Sequence, residues 1–145
     1  MKISTSIAVA CTAVILGCAG GLALPAAASA HSATHTLKFI SMTGKSVGFT
    51  RTAGAQQDTD VNSAGKTIGF DDLYVTFSGK NRAAAGVALD IKGGFLYGTI
   101  ATTNAGKTWR GRATGGNGAF AGATGAITAK AVASDKTAVT ITYTT

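Results

Sequence analysis

The chain has 145 residues, a formal charge of +7, a single Pro, 20 Gly and only six acidic residues, all of them Asp. The absence of Glu excludes chemistry built on several Glu, such as Glu-rich di-metal helices, and one domain is the natural prior at this length. The 46% hydrophobic content is uneven: residues 1–30 hold 20 apolar residues, whereas residues 31–145 hold 46 of 115.

Met1-Lys2-Ile3 opens the chain and an apolar run from Ile7 to Leu16 follows. Pro25 and Ala28-Ser29-Ala30 then precede His31. A short basic head, an apolar centre too short to span a bilayer and an A-x-A site predict a signal peptide over 1–30. The rest, 31–145, is expected to be one secreted, extracellular domain with no stable membrane insertion after cleavage. Ile15-Leu16-Gly17-Cys18 faintly resembles a lipoprotein box, so cleavage by an ordinary or a lipoprotein peptidase is left open. Cleavage after Ala30 removes Cys11, Cys18 and Pro25. The mature domain then has no disulfide and no thiol nucleophile, and must be held by its core and ladders.

Beyond His31 no segment carries an apolar stripe at helical spacing. Short runs rich in Thr and other β-branched residues predict strands over roughly 35–42, 46–53, 66–78, 84–92, 94–103, 107–114, 124–133 and 137–144. Gly79-Lys80-Asn81, Gly93-Gly94, Asn104-Ala105-Gly106 and Ser134-Asp135-Lys136 supply turn chemistry between them. Gln56–Ala64 shows no periodicity and reads as a surface loop. The regular spacing predicts an all-β fold, an antiparallel meander closed as a barrel or folded as a sandwich. Within 85–91, Ala85, Val87, Leu89 and Ile91 share one face, and Gly86, Ala88 and Asp90 the other. Val139, Ile141 and Tyr143 likewise oppose Ala138, Thr140 and Thr142. The small residues are expected to leave lumen space or to allow tight curvature.

Several motifs fail on spacing. Gly44-Lys45-Ser46, Gly65-Lys66-Thr67 and Gly106-Lys107-Thr108 each resemble the end of a phosphate loop, but the required upstream Gly is Phe39, Asp60 or Ala101 instead. Gly116-Asn117-Gly118 opens no helix, which excludes a dinucleotide fingerprint. His31 and His35 are the only histidines and sit on tail or strand, so no metal site and no His-dependent triad is expected. In Lys107, Trp109, Arg110 and Arg112, alternation turns the tryptophan away from the arginines. The cluster reads as a solvated cationic face with Trp109 packed, and no nucleic-acid partner is expected. The mature chain has 12 Lys and Arg against 6 Asp, so attraction to anionic surfaces stays open as a third, weaker class of function.

Asp71 and Asp72 are adjacent, so on a strand they face opposite ways and cannot form a close dyad. One faces inward. If it is Asp71, it keeps company with Leu73, Val75 and Phe77; if the register is inverted, Asp72 does so with Phe70 and Tyr74. An inward Asp among apolar residues has a raised pKa and can exchange protons. An exterior or turn-capping pair is the competing reading.

Ile68-Gly69-Phe70-Asp71-Asp72-Leu73-Tyr74, Gly94-Phe95-Leu96-Tyr97-Gly98-Thr99-Ile100 and Thr114-Gly115-Gly116-Asn117-Gly118-Ala119-Phe120-Ala121-Gly122-Ala123-Thr124-Gly125 together resemble the dirigent and allene oxide cyclase barrels. Their late motif runs G-G-T-G-x-[FY]-x-x-A-x-G. The resemblance spans about 66–145 and is nearest the small secreted actinobacterial type. It implies an eight-stranded antiparallel barrel, often homotrimeric, whose lumen takes an apolar or aromatic small molecule without cofactor or metal. It also implies cyclase or isomerase chemistry by conformational control. Asp71 matches an Asp of the dirigent strand motif, with Asp72 the alternative by register. Tyr74 or Tyr97 would be a hydroxyl partner, and Phe95, Trp109 and Phe120 would complete the substrate-binding set, Phe120 plugging the barrel end. Ala119 and Thr124 stand where dirigents tend to carry an acid and an Arg, and Asn117 replaces the usual Thr; these departures weaken the case for dirigent-type acid assistance and leave lumen binding intact. A non-catalytic binding or structural barrel is the alternative function.

Overall fold

The computed structural model describes residues 32–145. The expected signal peptide, with Cys11, Cys18 and Pro25, and His31 beside it, lie outside the described residues. Eight strands follow in order: β1 (Thr34–Val47), β2 (Ala53–Val61), β3 (Thr67–Phe77), β4 (Ala83–Ile91), β5 (Gly94–Thr102), β6 (Thr108–Gly116), β7 (Thr124–Ala133) and β8 (Lys136–Thr144). Each pairs antiparallel with the next, and β8 returns to β1, so the sheet is a closed barrel. Closure satisfies every strand edge, consistent with strands that carry no blocking Pro.

The expected strands from residue 66 onward coincide with β3 to β8, and the early ones do not. One long strand, β1, covers the first expected run and only the first two residues of the second, whose next five, Gly48–Thr52, are a loop. The expected surface loop at 56–64 is largely β2. Its alternation is present but inverted in polarity. Gln56, Asp58 and Asp60 take the inner face, and Ala55, Gln57 and Thr59 the outer. A reading that looks for apolar residues on the buried face passes over such a strand.

Elsewhere the inner face is apolar as expected. Leu89, Leu96, Ile127 and Ile141 are almost completely enclosed. The small residues Gly86 and Ala88 of β4 lie on the outer face, not in the lumen. Lumen space comes instead from inward Ala85 and Ala129.

One end of the barrel is shut by the β6–β7 connection. A 3-10 turn at Gly118–Phe120 tucks Phe120 inward against Tyr143, ring centroids 5.7 Å apart. Asn117 holds the turn in place: its Oδ1 accepts from the Phe95 N–H at 2.8 Å. Gly118 has φ +56°, and a Cβ there would overlap the Gly93 carbonyl oxygen. At Gly125 no positive φ is involved, but a Cβ would overlap the Thr142 carbonyl oxygen of β8. The glycines of the late motif thus answer a backbone requirement. Gly118→Ala is expected to cost about 2 kcal/mol, read as a fall in Tm of about 10 °C by thermal denaturation; an unchanged Tm would remove this glycine from the closure.

Candidate functional site

The other end of the barrel opens into the lumen. A cavity of about 270 Å³ runs inward from Phe49, Phe77 and Trp109 to Ser41, Asp58, Asp71 and Leu89. Its walls are aliphatic: Leu73, Val75, Ala85, Val87, Ile100, Ile127, Ala129, Val139 and Ile141. The volume lies just below the roughly 300–1,000 Å³ of drug-sized ligand sites, enough for a compact ring system. At the mouth the Phe49 ring leans over Gly54 toward Phe77, centroids 6.0 Å apart.

The polar floor is made by β1, β2 and β3. Register sets Asp58 directly across from Asp71, and Asp60 one inward position further along, across from Gly69. Asp58 is well supplied with donors. It accepts from Ser41 Oγ at 3.1 Å, from the Gly44 N–H at 3.0 Å and from Gln56 Nε2 at 2.8 and 2.9 Å. Gly44 sits where the β1–β2 register slips between Thr43 and Lys45; this bulge releases its N–H from the ladder.

Asp60 and Asp71 are supplied quite differently. Asp60 is 0% exposed and Asp71 5%. Both Asp60 oxygens and Asp71 Oδ1 are buried without a donor. Two ionised carboxylates in that state would be very costly, so one proton is retained between them. Burial above all, then the charge of Asp71, their mutual hydrogen bond and the charge of Asp58 push Asp60 up to about 8. Burial and then the charge of Asp58 raise Asp71 to about 6, against the lowering effect of the proton it shares with Asp60. Near neutral pH, Asp60 is the acid that donates and Asp71 the carboxylate that accepts. The pair titrates as a unit. No group of three His, Cys or Asp donors converges on a common point for a metal ion among the described residues.

Of the two aspartates expected to alternate, Asp71 is the inward one. Asp72 is exposed and accepts from Gln57 Nε2 at 3.0 Å on the outer surface. Trp109 lines the mouth, with Arg110 and Arg112 exposed on the opposite face. Phe120 is buried as the end plug and lines no part of the cavity. Tyr74, Phe95 and Tyr97 point outward, 60%, 39% and 41% exposed, so none of them is a hydroxyl partner or ring within reach of Asp71. On β5 it is Leu96, Gly98 and Ile100 that point inward. Tyr74 instead borders an open groove on the outer wall, floored by Gly86 and Gly98, where no buried ionisable group lies. His35 stacks on Tyr143, centroids 5.2 Å apart.

Asp58 and Asp60 are the site residues missed from sequence. The signal was the spacing Gln56-x-Asp58-x-Asp60, a period-two polar pattern beside a strand that holds Asp71.

The raised pKa values fix a sign for stability. The folded chain holds more protons than the unfolded one wherever pH lies between 3.8 and the folded values. The contribution is therefore fully present below about 4 and is lost as pH rises through about 6 and about 8. Thermal midpoints are expected to fall from pH 5 to pH 9, and Asp60→Asn to flatten that slope. At the alkaline end the variant should exceed the native chain by about 1–3 kcal/mol; a parallel pH dependence in both proteins would contradict the shared proton.

No protein-family model matches the chain, and no curated protein is significantly similar to it. Among solved structures, a pyocyanin demethylase is similar at 17% identity with a TM-score of 0.62, over 75% of this chain and 99% of that one. AbnU, described as an exo-specific intermolecular Diels-Alderase, is similar at 9% identity with a TM-score of 0.59, over 78% of this chain and 99% of that one. At these identities the likeness is one of fold: small barrels of the same architecture.

Proposed function

We propose that the chain is a cofactor-free barrel enzyme of the dirigent or allene oxide cyclase type, which takes an apolar or aromatic small molecule into its lumen and steers a cyclisation or isomerisation. The observation that carries this reading is an apolar lumen cavity whose floor bears Asp58 and Asp71, with Asp60 fully buried one inward position further along β2. Asp71 accepts a proton from one atom of the bound molecule and returns it to another, so no net proton is consumed. Asp60 holds the second proton and tunes the basicity of Asp71 through their hydrogen bond. The aliphatic walls exclude water and hold the substrate in its reacting shape. Similar barrels named as a demethylase and a Diels-Alderase support a chemical role for such a lumen, and the Gly115–Gly125 motif supports the family type. Residues 1–30 are proposed as the export signal and 31–145 as the secreted domain, with a homotrimer as the assembly that the resemblance supports.

The test begins with native mass spectrometry of the protein from culture medium, which should give a mass beginning at His31 and a co-purifying small molecule. With that molecule or its precursor as substrate at saturating concentration, Asp71→Asn should lower kcat at least ~100-fold. Ala85→Phe, which fills the cavity, should abolish binding, and Tyr97→Ala on the outer wall should leave it intact. Full turnover in Asp71→Asn would remove Asp71 from the mechanism, and no turnover by the native protein would leave a non-catalytic binding barrel as the better account.

A further inference from the structure

Charge in this barrel is sorted by side. All 12 Lys and Arg of the described residues are exposed. Three of the six Asp, namely Asp58, Asp60 and Asp71, are buried at the lumen floor. No Lys, Arg or His lines the cavity. Asp58 has its hydrogen bonds from within the protein, as described above. Asp71 does not: it lines the cavity, is 5% exposed, and its Oδ1 has no donor. A proton shared with Asp60 satisfies one acceptor on each side, yet leaves the pair with one negative charge, a further Asp60 oxygen without a donor, and no cation to face. Buried carboxylates are tolerated when paired with a charge that also donates hydrogen bonds. The protein supplies every other feature of a ligand site here except that cation.

Resting on the lumen-binding reading above, we propose that the natural ligand carries a cationic nitrogen with N–H donors, an ammonium or amidinium group on an apolar or aromatic body, with the nitrogen seated on Asp71 and the body lying toward Trp109, Phe77 and Phe49. The two ends of the cavity match the two ends of such a molecule. The ring faces at the mouth add attraction for cationic or electron-poor rings. A neutral donor would hydrogen-bond Asp71 without balancing its charge, and an anionic ligand would meet three buried carboxyl groups of its own sign.

Trp109 is the only tryptophan and sits at the mouth, so its fluorescence reports binding. Three probes share one bicyclic body: 1-naphthylmethylammonium, 1-naphthalenemethanol and 1-naphthoate. At pH 7.5 the ammonium should bind about tenfold or more tighter than the alcohol, and the naphthoate weakest. In Asp71→Asn the preference for the ammonium should shrink below about threefold, chiefly through weaker ammonium binding; Asp72→Asn, on the outer face, should keep it. The native protein provides a second arm that needs no variant. The ionisable groups facing Asp71 are Asp58 across on β2 and Asp60 beside it; Leu89 across on β4 and Ser41 on β1 do not titrate in this range, and Asp72 points away. The preference should therefore fade as pH drops from 8 to 5 and the pair fills with protons. Equal binding of alcohol and ammonium, or a preference untouched by Asp71→Asn, would overturn the cationic ligand and leave lumen binding standing. Binding of none of the three would remove both.

Discussion

The pairing of β2 with β3 is the constraint on which the site depends. It sets Asp58 opposite Asp71 and brings Asp60 one inward position away, so that three carboxyl groups share a wall no wider than two strands. A strand has a side-chain period of two, so a slip of β2 by one residue would carry Asp58 and Asp60 to the surface and bring Gln57 and Thr59 inside. The register is pinned by the closed sheet on both flanks and by the β1 bulge, whose Gly44 N–H reaches Asp58. Closure is thus more than an edge remedy: it holds an arrangement that like charges alone would push apart.

The barrel handles that repulsion unevenly. Around Asp58 it places a hydroxyl, a side-chain amide and a free backbone N–H. Around Asp60 and Asp71 it places almost nothing, and a retained proton does the work of a donor. The first arrangement reads as structural support. The second stores free energy that a ligand donor can release, and it sits where the apolar cavity ends. The same two residues therefore cost the fold stability while leaving an acceptor open at the cavity floor.

The sequence made part of this legible. β4 and β8 showed themselves through Ala85, Val87, Leu89 and through Val139, Ile141, Tyr143, because their buried face is apolar. Asp71 could be narrowed to an inward or outward choice by alternation, and the architecture follows from turn spacing. β2 stayed hidden because Gln56, Asp58 and Asp60 occupy its inner face, the reverse of the pattern that marks a half-buried strand. The aromatic rings were misplaced for a different reason. On β5 the chain alternates Phe95 and Tyr97 with Leu96 and Gly98, and either set could face in. The narrow interior takes the aliphatic set, and the large rings lie outside, Tyr97 beside Ala88 and Phe95 beside Asp90 of β4. Which face wins there is decided by lumen volume, a property of all eight strands that no single segment reveals.

The central claim is that the lumen floor carries a carboxyl pair sharing a proton at neutral pH. Carbon-13 NMR titration of the aspartate side-chain carboxyls in the ligand-free protein tests this most directly. Two coupled signals, assigned to Asp60 and Asp71 by their Asn variants, should titrate near 8 and near 6, with one carboxyl still protonated at pH 7. If both titrate near 4, as ordinary exposed carboxyls do, the lumen floor holds no such proton and the account of the site fails.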